Sequence, residues 1–109
     1  MIGYNRRFYC STKKALEIIE NDGGVLSCNF EFTEWSHIIQ NLNSSKMIKE
    51  NWFLANSTHV VDLAFFISGF PEEISCFSSG KLDWHSSASI FSGAGKTSEN
   101  VLFSYQANW

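Results

Sequence analysis

The sequence predicts an α+β fold: a mostly antiparallel open sheet with helices packed on one face. Three observations carry this expectation. Up to Ile67 the apolar residues recur mainly at helical spacing, with one alternating segment among them. Beyond Pro71 the chain changes to short runs rich in Ile, Phe, Val and Ser, separated by glycine-containing turns. The 109 residues, 44% apolar and 16% aromatic, suffice for one modest core but not two.

Each element has its own signature. Ser11 to Asn21 places Ala15, Ile18 and Ile19 on one helical face, with Ser11 or Thr12 as N-cap and Asp22-Gly23-Gly24 as the stop. Val25 to Phe32 alternates, Leu26, Cys28, Phe30 and Phe32 forming the side expected to be buried. Around Glu34 to Leu42 the residues Trp35, Ile38, Ile39 and Leu42 return to helical spacing. Asn56 to Ile67 is the best-defined helix, capped by Asn56 or Ser57 and ended by Gly69-Phe70-Pro71. Glu73 to Phe77, Ser87 to Phe91 and Val101 to Tyr105 then read as successive antiparallel strands, the last stopping in mid-pattern at Ala107-Asn108-Trp109.

Composition excludes several classes. A net charge of -3, with basic residues scattered outside Arg6-Arg7 and Lys13-Lys14, offers no broad positive surface for nucleic acid or anionic membrane. Cys10, Cys28 and Cys76 are far apart and odd in number, which fits reduced thiols. Met1 to Tyr9 lacks the continuous apolar run of a secretory signal, and Asp62 breaks the longest apolar stretch, so the expected location is cytoplasmic. No metal is expected, because neither H-x-x-x-H nor H-E-x-x-H occurs. Gly93-Ala94-Gly95-Lys96-Thr97 looks like the tail of a phosphate-binding loop, but Ile90 stands where that pattern needs glycine. A hairpin turn is the expected role there, and ATP or GTP binding is not. His37 and His85 are expected on surfaces or in turns, and no GxSxG elbow makes a nucleophile of any serine.

The segment from Glu50 to Leu63 has the densest set of functional side-chain types. On a helix Asn56, His59, Asp62 or Leu63, and Phe66 share a stripe, so His59 can face a cleft. An imidazole titrates near neutrality and suits proton exchange with a hydroxyl. The plain alternative is a partly buried histidine hydrogen-bonded to Asp62 or a backbone carbonyl. At the other end, Gly3-Tyr4-Asn5-Arg6-Arg7-Phe8 combines two guanidinium groups with amide and phenol donors. Arginine forks recognise carboxylate, phosphate or polyol oxygens. An exposed, solvated basic end explains the same residues.

Taken together, these segments resemble the Gfo/Idh/MocA family of NAD(P)-dependent oxidoreductases over nearly the whole chain. Gly3 to Tyr9 looks like the segment that opens the family's second domain, and Phe103 to Trp109 looks like a strand of that domain's sheet. Leu54 to Leu63 looks like the helix with the pattern L-D-x-G-x-H-x-x-D. The resemblance implies a sugar or sugar derivative as substrate, with His59 as the catalytic histidine. It places Tyr4, Asn5, Arg6, Arg7, Asn56 and Thr58 near substrate. Ala55 and Ser57 depart from the family's aspartate and glycine, and neither GxGxxG nor an E-K-P segment is present. The implied reading is that residues 1–109 form one partial, substrate-binding and oligomerisation domain without the Rossmann domain. Such a domain binds no cofactor alone and would be inactive by itself, NAD(P) belonging to the full-length parent. Its expected partners are further copies through the sheet, or a separate Rossmann chain.

Overall fold

A computed structural model describes residues 3–109. Tyr4 leads into a 3₁₀ turn, Asn5–Phe8, and helix α1, Cys10–Asn21. No side chain caps α1 at its N-terminus. The expected cap residue Thr12 lies inside the helix, its Oγ1 donating to the Arg6 carbonyl at 2.7 Å. The stop is as expected: Gly23 and Gly24 take φ of 97° and 94°, and Gly24 N–H bonds back to the Ile19 carbonyl at 2.8 Å.

Strand β1, Ser27–Glu31, turns Phe30 inward, and Phe32 just beyond it is buried; Leu26, expected in the core, precedes the strand and is 92% exposed. Two short helices follow, α2 (Ser36–Gln40) and α3 (Lys46–Glu50). Of the apolar stripe expected on α2 only Ile39 is buried, and Trp35 stands 72% exposed.

A π-helical turn, Phe53–Ser57, leads directly into α4, Thr58–Ser68. This entry corrects the expected cap. Ser57 has helical φ and ψ and makes no capping bond, because the chain is already helical when it arrives. Val61 and Phe65 of α4 face the sheet, Ala64 and Ser68 are buried, and Gly69 at φ 96° ends the helix.

Strands β2 (Pro71–Ser79), β3 (Ile90–Thr97) and β4 (Leu102–Asn108) form an antiparallel meander, and β1 joins its far edge in the order β1-β4-β3-β2. The β1–β4 pairing is parallel, Phe30 opposite Tyr105. The class is therefore α+β as expected, but the four-stranded sheet is mixed rather than mostly antiparallel. The cause is topological, since the chain leaves β1 through the helices before pairing with it again at β4. Helix α4 covers one face at the β1 side, and Asn29, Glu31, Ser75, Phe77, Ser92 and Gln106 are exposed on the other.

A second correction concerns Gly93 to Thr97, which is the interior of β3 rather than a turn. Gly93 lies opposite Tyr105, Gly95 opposite Phe103, and a Cβ on either glycine would run into the facing ring. The glycines are there so that two aromatic rings of β4 can lie across β3. The real turn is Ser98 to Val101, with Asn100 at φ 60°.

Ala107 and Asn108, read as an interrupted end, continue β4, and Trp109 is buried against Trp84 and His85 with Nε1 donating to the Phe32 carbonyl. His37 is exposed as expected. His85 closes a tight turn with Leu82, within the expectation, yet it is buried at 3% exposure, its ring 4.9 Å from that of Trp109 and its Nδ1 without a hydrogen-bond partner among the described residues.

Candidate functional site

The N-terminal segment and α4 are far apart in sequence but meet in space. The 3₁₀ turn brings Arg7 to Asp62, an acid whose side chain is only 8% exposed and which lies between Val61 and Leu63 in α4. Arg7 donates from Nε to Asp62 Oδ2 at 2.7 Å, and its Nη2 donates to Oδ1. This two-pronged bond satisfies both carboxylate oxygens, as a nearly buried charge requires. The Arg7 pKa is raised accordingly, first by its hydrogen bond to Asp62. The guanidinium carbon also lies 4.8 Å from the centre of the Phe66 ring and 5.9 Å from that of Tyr4.

Tyr4 in turn meets His59 edge to face, with ring centres 5.4 Å apart and planes at 85°. Thr58 donates from Oγ1 to the Leu54 carbonyl at 3.0 Å, which leaves the hydroxyl oxygen able to accept. Tyr4, Arg7 and Thr58 line a cleft of about 500 Å³, whose apolar wall includes Phe66 and Phe70. That volume lies in the usual range for small-molecule sites. Of the seven residues singled out from the sequence, Tyr4, Arg7 and Thr58 line this cleft, and His59 meets it only through its edge-to-face contact with Tyr4. Three do not. Asn56 donates to Glu34 Oε1 at 2.6 Å, towards the loop before α2. Asn5 is exposed, and neither it nor Arg6 lines the cleft.

The sequence offered Asp62 as a hydrogen-bond partner for His59, whereas in the structure it is the partner of Arg7. The signal was available, because a lone acid between Val61 and Leu63 on an apolar helix requires a cation from elsewhere in the fold. Phe66 shares the helical stripe of His59 and Asp62 in the sequence, whereas Phe70 as a cleft wall left no comparable trace.

The glycine-rich segment Gly93 to Thr97 does not fit the phosphates of a dinucleotide. Gly93 to Thr97 is paired on both sides, by β2 and β4, so it forms no loop at a helix N-terminus for phosphates. No group of three or more His, Cys, Asp or Glu able to hold a metal occurs among the described residues. Cys10, Cys28 and Cys76 are free thiols. No helix among the described residues is long and apolar enough to cross a membrane. No family model, curated protein or solved structure matches this chain.

Proposed function

We propose that this chain is the substrate domain of an oxidoreductase acting on a sugar or sugar derivative, and that the cleft between the N-terminal segment and α4 receives the sugar. The observation that carries this reading is the convergence of Tyr4, Arg7 and Thr58, with His59 against Tyr4, across more than fifty residues of sequence. A sugar ring presents hydroxyls at its rim and C–H groups on its faces. The cleft offers the matching surfaces: the guanidinium N–H groups of Arg7 not used by Asp62, the Thr58 hydroxyl and the Tyr4 phenol for the rim, and Phe66 and Phe70 for a face. His59, beside Tyr4, exchanges the proton of the reacting hydroxyl. Asp62 positions Arg7 and does not reach for the substrate. The π-helical turn immediately before Thr58 supports the assignment, since such turns recur at functional sites.

The resemblance to the Gfo/Idh/MocA family supplies the reaction class. NAD(P) would be bound by a Rossmann unit other than these residues, and the domain by itself would have no turnover. Calorimetric titration with a panel of hexoses tests the reading. Saturable binding at millimolar or lower concentration, weakened at least several-fold by Thr58→Val and by His59→Gln, is the expected result. Heats of dilution alone from the folded wild type would overturn it.

A second reading is an assembly module pairing through its sheet with another copy or with a Rossmann chain. A specific observation favours it: the surface of 7527 Å² exceeds the roughly 6,100 Å² of a monomer of this mass. The excess, roughly 1,400 Å², is larger than the ~800 Å² that each partner contributes to a standard interface.

A further inference from the structure

We infer that the free edge of β2 is a self-recognition site, which pairs antiparallel with β2 of a second copy about a two-fold axis at Cys76 and joins two four-stranded sheets into one. The inference rests on the assembly reading above and names its surface, its partner and its register; it is independent of the sugar cleft.

Strand β2 pairs only with β3, and Glu72 to Ser79 are all exposed. An edge strand leaves alternate N–H and C=O groups unpaired, and folded proteins usually blunt such edges with charge, proline, a bulge or shortness. Here those devices stop at one end. Pro71, the register shift between Pro71 and Glu73, and the acids Glu72 and Glu73 occupy the first three residues. From Ile74 to Ser79 there is no charge, proline or glycine, and the register with β3 is unbroken. The opposite edge, β1, is blunted by its length of five residues.

The sequence of this edge is complementary to itself. The unbroken stretch runs from Glu73 to Ser79, and Cys76 is its midpoint. A two-fold axis there sets Ile74 opposite Ser78 of the other copy and Phe77 opposite Ser75 of the other copy. Ile74 is 53% exposed beside the rings that face α4, and Phe77 is 76% exposed on the bare face. On each face a large apolar side chain therefore meets a small one. Charge selects the direction: antiparallel pairing brings Glu72 opposite Gly80 and next to Lys81 of the other copy, whereas parallel pairing would set Glu72 and Glu73 against the same two acids.

Cys76, exposed and unbridged, reports the register. Opposite residues of an antiparallel pair have Cα atoms about 4.5–5.5 Å apart, within the span of a disulfide. Sedimentation equilibrium of the reduced full chain at micromolar concentrations should give a mass rising towards twice 12.4 kDa. Diamide, which takes up the two thiol hydrogens, should then link two chains through Cys76, and Cys76→Ser should associate as the wild type does without forming the link. Cys76→Lys places like charges opposite each other at the axis and should weaken association about fivefold or more. Ser92→Lys, in the middle of the bare face, should leave association unchanged. A monomer throughout would overturn both the site and assembly between copies. A dimer that Ser92→Lys disrupts and Cys76→Lys does not, or one that diamide links through Cys10 as readily as through Cys76, would overturn the β2 edge and leave the assembly reading standing.

Discussion

At the scale of single residues, the chemistry is governed by which polar groups the apolar framework forces into partnership. Asp62 sits in α4 among Val60, Val61, Leu63 and Ala64, and it forms an ion pair with Arg7. Tyr105 makes the same point from the alkaline side. Its phenol pKa is raised in the fold, chiefly by burial, so the folded protein holds that proton more tightly than the unfolded chain does. Stability is then unaffected well below pH ~10, the ordinary tyrosine value, and falls as pH rises through and above it. Denaturant melts between pH 8 and 11 should show this decline, and Tyr105→Phe should lessen it. An unchanged slope in the variant would place the alkaline loss elsewhere. Much of the candidate site was legible at this scale: Tyr4, Arg7 and His59 were picked out by residue type and spacing, and Thr58 by the family resemblance. Asn5, Arg6 and Asn56 were picked out by the same logic and lie elsewhere, because spacing along a helix or turn does not specify which face the tertiary structure will cover. Asn56 has Glu34 as its partner, supplied by a loop 22 residues away.

At the scale of elements, the glycine-rich segment of β3 shows where local signals mislead. Glycine, lysine and threonine in Gly93 to Thr97 carry turn chemistry, and nothing in that window reveals that Tyr105 and Phe103 will lie over the two glycines. The compensation is in β4, so only the paired strands contain the answer. An alanine Cβ at Gly95 would come within 2.7 Å of Phe103 Cζ and closer still to the Glu73 carbonyl. Gly95→Ala should therefore cost about 3 kcal/mol, the upper end for overpacking, because backbone cannot yield as a side chain can. Gly93→Ala meets only the Tyr105 ring, and its cost should shrink when combined with Tyr105→Ala. Urea melts of the four proteins decide this, and additive losses at Gly93 and Tyr105 would refute the account of β3. Elements with strong periodicity, α1, β1 and α4, were recognisable in sequence within about two residues of each end. Helix α3 and the π-helical turn were not, since Lys46–Glu50 is too short for a period and Phe53–Ser57 differs from α-helix only in its hydrogen bonding.

At the scale of the whole molecule, the chain is more extended than its length requires. Its radius of gyration is 15.3 Å, against roughly 13 Å for a typical domain of this size. One sheet face is bare and the edge strand β2 is exposed, Phe77 at 76%. Assembly through the sheet predicts a species heavier than 12.4 kDa in light scattering at micromolar concentration. A strictly monomeric species would remove self-pairing and leave only a different partner. The mixed sheet was not legible beforehand, because parallel pairing of β1 with β4 joins segments 75 residues apart and rests on no local pattern. The central claim, that the cleft between the N-terminal segment and α4 is a sugar site with His59 beside it against Tyr4, is tested most directly by imidazole NMR during titration with hexoses. The chain has three histidines, and the exposed His37 and buried His85 serve as internal controls. The account predicts that the His59 ring signals move saturably while those of His37 and His85 stay in place. Equal movement of all three, or none at His59, would contradict it.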